Sequence, residues 1–327
     1  MDKIRTNSFS IYDNDLDLKS FPELYPTAEN RLRDARSIAL APIDFIKSRL
    51  LNKNSKFRRN INYIFHLFQQ HEVNAMCHSV GHMLRTVTGR SLSAKQFYER
   101  LQKKDGEIRS KMFGLLANVR GSREYFGKLA MDLKWMIHRL GPPTLFVTCS
   151  MAEWFSEPFI HYLKEINSDV PKISNMTAAE LCAMDPVNVS NHFQKKWNAT
   201  FTKLITNKEN GIFVEVEDFF YRIEYQARGA GHTHTLLWIK DAPVIGKNTP
   251  DEVKDYINKI STCRLPDTET SPTLHELVTR FQIHRCNKCR TKLYKCNNKC
   301  YKKCRFGFPR PEKSELRAAR HCGMSGC

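Results

Sequence analysis

The tripeptide Gly141-Pro142-Pro143 divides this chain more sharply than any other feature in it. Proline has no N–H for a helical ladder, and its ring pushes the preceding residue out of the helical region, so no helix runs through the pair. On the N-terminal side, apolar residues recur at three and four. From Arg58 to Thr88 the residues Ile61, Ile64, Phe65, Phe68, Met76, Val80, Met83, Leu84 and Val87 form a stripe that predicts one long helix or two. Helical spacing then continues from Phe97 to Trp135, with breaks near Gly106 and Gly121. On the C-terminal side the texture changes to short β-type runs at Thr144–Ser150, Ile212–Val216, Tyr221–Gln226 and His232–Ile239. Polar helical stretches around Ala178–Met184 and His192–Ile205 lie between the first run and the second. This order predicts an α+β fold, with a helical N-terminal unit followed by a mainly antiparallel sheet with flanking helices.

Four regions follow along the 327 residues: a polar, proline-punctuated, irregular arm over 1–55, a helical region over 56–141, an α+β domain over 142–262 that closes on a helix in PDEVKDYINKI, and a basic cysteine-rich segment over 263–327. No internal repeat is found. The stretch Gly121 to Lys128 is not a phosphate-binding loop, because one residue too many separates its glycines and Leu129 stands where Ser or Thr must hold magnesium. The chain carries no recognisable ATPase motor. No run of about 18 apolar residues occurs and the N-terminus has no basic-then-apolar signal pattern, so a soluble chain made in the cytosol, with no membrane partner, is expected.

Charge and cysteine are concentrated at the same end. The chain has 52 Lys and Arg against 34 Asp and Glu, a net of +18. Thirteen of those basic residues and only two Glu lie between Arg285 and Arg320, so more than half of the excess sits in one short segment, a candidate footprint on phosphates. Seven of the eleven cysteines lie between Cys286 and Cys327, while Cys77, Cys149, Cys182 and Cys263 are scattered and expected to be buried thiols. In a reducing compartment such a segment points to metal rather than disulfides. Two tight turns can each present two thiolates to a tetrahedral zinc ion. The preferred ligands are Cys286, Cys289, Cys300 and Cys304, with His284 or Cys296 as substitutes. Lys302, Lys303, Arg305 and Arg310 are the candidate DNA contacts, interleaved with Tyr301, Phe306 and Phe308, whose rings can stack on unpaired bases; Phe306 and Phe308 alternatively pack beneath the zinc module.

The stretch YRIEYQARGAGHTHTLLWI predicts a hairpin turning at Gly229 and Gly231. Side chains alternate along a strand, so His232 and His234 share one face, as do Glu224 and Gln226 on the partner strand. Two imidazoles and the Glu224 carboxylate can then enclose one Mg²⁺ or Mn²⁺ with positions left open for a scissile phosphate. A half-exposed strand that simply carries His-Thr-His is the plainer alternative.

Several segments in one order resemble the N-terminal Rep-like region of Helitron transposases, often labelled helitron helicase-like. They are FRRNINYIFHLFQQHE (Phe57 to Glu72), LFVTCSMAEW (Leu145 to Trp154), IEYQARGAGHTHTLLWI, CRLP, QIHRC and CRFGFPRP (Cys304 to Pro311). The resemblance implies an HUH endonuclease, a nickase of single-stranded DNA in rolling-circle transposition that uses a two-histidine metal site and a tyrosine nucleophile. It also implies work in the nucleus. Under it LFVTCS is similar to the first Rep motif and His232-Thr233-His234 to the HUH motif, with Thr233 departing from the usual hydrophobic middle residue. Tyr256 and Lys259 form a YxxK on the helix after the histidines, which makes Tyr256 a nucleophile candidate; alternatively it packs with Val253, Ile257 and Ile260 on that helix's apolar face. Helitron proteins carry a YxxxY pair and a helicase beyond CRFGFPRP. The expectation is therefore a truncated transposase product, with a non-catalytic zinc-containing DNA-binding remnant as the alternative.

Overall fold

The computed structural model describes residues 13–86, 93–103, 106–213, 215–225, 229–284, 291–296, 299–304 and 307–308. The chain divides into two compact units, Met1–Lys240 and Asp241–Cys327.

The first unit opens with α1 (Leu16–Ser20) and α2 (Pro42–Leu50), followed by α3 (Lys56–Arg59) and α4 (Ile61–Thr86). The N-terminal stretch is less irregular than its composition suggests, because its large rings need cover. Phe21, Tyr25 and Phe45 bury themselves against Phe57, Tyr63 and Leu67. The hydroxyls of Tyr25 and Tyr63 meet at 2.6 Å, and burial pushes the Tyr25 phenol up to about 12. The face of α4 that packs inward is not the conspicuous stripe. Tyr63 and Leu67 are buried, whereas Ile61, Phe65, Phe68 and Met76 lie exposed.

Three further helices follow: α5 (Ala94–Gln102), α6 (Gly106–Leu116) and α7 (Arg123–Leu140). Ser122 caps α7 by accepting from the Tyr125 amide. Gly141 ends it in a left-handed conformation at φ +82°, donating its N–H to Ile137 O at 2.9 Å. The Gly141 carbonyl in turn accepts from Trp238 Nε1 at 2.9 Å, which ties the end of the helical region to the sheet.

The sheet consists of β1 (Leu145–Ser150), β2 (Val216–Tyr225) and β3 (Gly231–Ile239), all antiparallel in the order β1-β3-β2. Between β1 and β2 the chain forms α8 (Glu157–Ile166), α9 (Ala178–Met184) and α10 (Pro186–Thr200), the last running into one π-turn over Phe201–Ile205. Ile212–Val216 and Tyr221–Gln226 are not two strands. Ile212 instead donates its N–H to Leu204 O at 2.7 Å, closing the turn after α10, and a single strand starts at Val216 with a bulge before Asp218. Of the scattered cysteines only Cys182 is buried; Cys149 is half-buried, and Cys77 and Cys263 are exposed, contrary to expectation.

One face of β3 is packed. Thr233, Thr235 and Leu237 are fully buried on the side where Phe193, Trp197 and Phe201 of the α10 region lie. Thr233 accordingly behaves as a core residue, its hydroxyl donating to Cys149 O at 3.5 Å. The two glycines of the hairpin serve different needs. Gly229 supplies a positive φ of +75° in the turn. At Gly231 a Cβ would stand 2.5 Å from the ring of Phe193, which is itself fully buried. Overpacking of this kind costs about 1–3 kcal/mol, so Gly231→Ala is expected to lower the urea midpoint accordingly, and adding Phe193→Leu should recover part of the loss. An unchanged midpoint for the single variant would show that the helix stands further from β3 than described.

The helical layer and the segment between β1 and β2 are joined by a buried polar network. Arg58 donates from Nε to Asp185 Oδ2 at 2.9 Å, and both side chains are almost fully enclosed, at 5% and 0% exposure. The other guanidinium nitrogens donate to the carbonyls of Asn52 and Ile166 and to Asn167 Oδ1. Asp185 also accepts from the side chains of Asn167 and Asn188 and, as the N-cap of α10, from the Asn188 amide.

The second unit holds α11 (Pro250–Ile260), α12 (Pro272–Phe281) and a hairpin of β4 (Thr291–Cys296) and β5 (Lys299–Cys304). Thr249 and Glu252 form a reciprocal capping box at the start of α11. No helix among the described residues is long and apolar enough to cross a membrane.

Candidate metal centre

The free face of the sheet is built in rows set by strand register. Ser150, His232 and Glu224 lie side by side in one row, and Thr148, His234 and Arg222 in the next. A third row holds Phe146, Leu236 and Phe220. Paired residues in an antiparallel ladder share a face, so the sheet gathers both histidines and the carboxylate on one surface.

The donors are close. Glu224 Oε2 lies 2.9 Å from His234 Nε2, with both side chains partly open to solvent. The two imidazole centroids are 4.8 Å apart, and His232 Nδ1 meets Ser150 Oγ at 2.7 Å, which orients that ring. Phe146 lies parallel to His234, with centroids 5.7 Å apart and planes 11° apart. Across the row Arg222 reaches the Tyr125 hydroxyl at 3.4 Å and lies over the rings of Tyr125 and Phe126. That hydrogen bond holds the Tyr125 phenol below its ordinary value.

The donor set suits a small divalent cation. Two ligands about 2.1 Å from an octahedral ion and at right angles to each other lie about 3 Å apart, which is the separation of His234 Nε2 and Glu224 Oε2. His232 adds a second imidazole on the same face. No three His, Cys, Asp or Glu among the described residues already converge on one point, so enclosing a cation requires His232 to turn its free nitrogen toward the other two.

Ser150, Thr148, Phe146 and Arg222 were not singled out by the sequence analysis. Their signal was present in the alternation of LFVTCS, where Phe146, Thr148 and Ser150 are the exposed positions. What was missing was the register that sets β1 beside the histidines. Tyr256 belongs to the second unit, where it is half-buried with Val253, Ile257 and Ile260 on the apolar stripe of α11 and lines a surface cleft with Lys259, Asp255 and Glu252. Burial raises its phenol above the ordinary value, which disfavours the tyrosinate.

In the second unit Cys304, buried, places its Sγ 3.2 Å from His284 Nε2, and Phe308 stacks on the His284 ring at 4.4 Å. A thiol and an imidazole meeting in this way suit zinc. Phe308 thereby packs within the cysteine segment. Cys300 sits at a position of the same parity as Cys304 along β5, and Lys302 and Lys303 lie on that strand, while Cys296 ends β4. Cys286, Cys289, Arg305, Phe306 and Arg310 fall outside the described residues.

The fold and this surface define a class: a mixed α+β domain whose small antiparallel sheet carries two histidines and a carboxylate on its open face. The chain belongs to the family of the Helitron helicase-like domain at the N-terminus, which matches residues 45–237 and relates it to Helitron transposases. The match takes in β1, Glu224 and both histidines, and it ends before Tyr256 and the cysteine segment. Neither the curated proteins nor the solved structures hold a match to the chain.

Proposed function

We propose that this chain is the Rep-like, HUH-type part of a Helitron rolling-circle transposase, acting in the nucleus on single-stranded DNA. In this reading His232, His234 and Glu224 hold Mg²⁺ or Mn²⁺, which when bound polarises the scissile phosphate for nicking and joining. Ser150 orients His232, and Arg222, the neighbour of His234 in its row, contacts the DNA backbone. The observation that carries the reading is the convergence of His234 and Glu224 beside His232 on the open face of a sheet that lies inside the family match. The basic cysteine segment holds zinc through thiolates of Cys286, Cys289, Cys300 and Cys304, with His284 or Cys296 as a substitute, and the contact of His284 with Cys304 favours His284 as a ligand. Lys302, Lys303, Arg305 and Arg310 contribute phosphate contacts. The helicase is supplied by a further region of the full-length transposase.

The raised phenol of Tyr256, and its place on an apolar helix stripe outside the family match, favour a second reading in which this chain binds DNA and metals without cutting. A single-stranded oligonucleotide assay addresses both. Affinity should fall steeply with salt, and neutralising Lys302, Lys303 and Arg305 together should flatten the log–log slope by about two units, at about 0.7 per phosphate contact. A slope unchanged by the triple substitution would mean that the basic block is only a solvated surface. Little nicking is expected from the chain alone, and a covalent 5′-phosphate adduct mapped to Tyr256 would restore that residue as the nucleophile.

A further inference from the structure

We propose that Phe146 is the base-stacking platform of the histidine face, holding one unpaired nucleobase beside the metal centre. The inference rests on the single-stranded-DNA reading above and adds the recognition element. Phe146 is 63% exposed although it lies within strand β1 and is paired in the sheet. Its ring is not left at random: it stands parallel to His234, which lies on the central strand. β1 is an edge strand, so among the described residues no further strand covers the outer side of that ring. An exposed aromatic face is costly in water and useful to a ligand with a flat π-surface of its own, and nucleobases stack on such rings with little regard to sequence.

The setting favours a nucleotide. Leu236 and Phe220 share the row of Phe146, while the next row sets Thr148, His234 and Arg222 beside it, so the ring stands where an apolar strip meets polar and cationic groups, as a base with its own phosphate requires. A base stacked on the outer face of Phe146 lies one ring away from His234, where the donors converge. Outside the Arg285–Arg320 segment the chain still carries a net charge of +7, which suits a polyanionic partner over a neutral or basic one.

The test uses the full chain with Lys302, Lys303 and Arg305 neutralised, so that the basic block does not mask the sheet. Binding of a fluorescent oligo-dT is compared with binding of an abasic oligonucleotide of equal length, for Phe146, Phe146→Ala, Phe146→Leu and Phe146→Trp. The alanine and leucine variants should bind oligo-dT roughly 5- to 150-fold more weakly, the tryptophan variant should bind at least as tightly as the parent, and abasic binding should be the same in all four. Wild-type affinity in the leucine variant would reduce the ring to a generic apolar contact. Equal losses on the abasic strand, or no oligo-dT binding by the parent, would also overturn the proposal. A Mn²⁺ titration of the same proteins reports on the histidine site independently, so unchanged oligo-dT binding in the alanine variant with Mn²⁺ binding intact overturns the platform alone.

Discussion

Replacing Arg58 with methionine is expected to destabilise the first unit by about 3–5 kcal/mol, the cost of leaving a buried charge without its partner. Asp185 is fully enclosed, and with Arg58 gone its carboxylate retains only the amides of Asn167 and Asn188. The guanidinium also satisfies the carbonyls of Asn52 and Ile166, so the variant orphans acceptors on both sides of the contact. Asp185→Asn should cost less, since asparagine still caps α10 and still offers an oxygen to Arg58. Urea denaturation followed by circular dichroism measures both. If Arg58→Met unfolds at the wild-type midpoint, the pair is not buried and the joint between α3 and the helices between β1 and β2 is looser than described.

The second large effect concerns metal. His232→Ala together with His234→Ala should abolish Mn²⁺ binding, read by calorimetry or by the electron paramagnetic resonance of the free ion, and should leave unchanged the zinc content proposed for the cysteine segment, whose candidate ligands are different. Ser150→Ala leaves both imidazoles in place but removes the hydroxyl 2.7 Å from His232 Nδ1. Loss of such an orienting partner typically weakens metal affinity 10- to 100-fold, so this variant should bind Mn²⁺ at higher concentration rather than not at all. Wild-type Mn²⁺ affinity in the double histidine variant would remove the chemical basis of the HUH assignment and leave a DNA-binding protein.

Both sites bear on what a sequence can reveal. The histidine face was legible because a strand alternates with period two: His232 and His234 had to point the same way, and Gly229 allowed the turn that brings Glu224 alongside. Its β1 half was not legible, since no local rule says which residue of LFVTCS meets His232 across a gap of 82 positions. The helices before Gly141 were also foreseen, but periodicity reports that a stripe exists and not which side meets the core. In α4 the aromatic cluster of the N-terminal arm recruited Tyr63 and Leu67 and left Phe65 and Phe68 outside. The pair Arg58–Asp185 could not have been found from sequence, because an arginine and an aspartate separated by 127 residues look like two ordinary surface charges.

The central position of β3 has a consequence for how this molecule comes into being. β3 is the last of the three strands to be synthesised, yet it is the one that pairs with both of the others, which do not pair with each other. Until Ile239 has left the ribosome, β1 and β2 have no neighbour, the inner face of the sheet has nothing to close against α10, and Ser150 and Glu224 have no histidine to meet. Joining β1 to β3 also closes a long loop, an entropic cost that must be met before the ladder returns any stability, and non-local pairing of this kind slows folding. The histidine face should therefore appear in a single late step together with the core beneath it. Nascent chains stopped short of β3 should be inert toward divalent ions, and pulse-labelling hydrogen exchange should find β1 amides becoming protected only when those of β3 do.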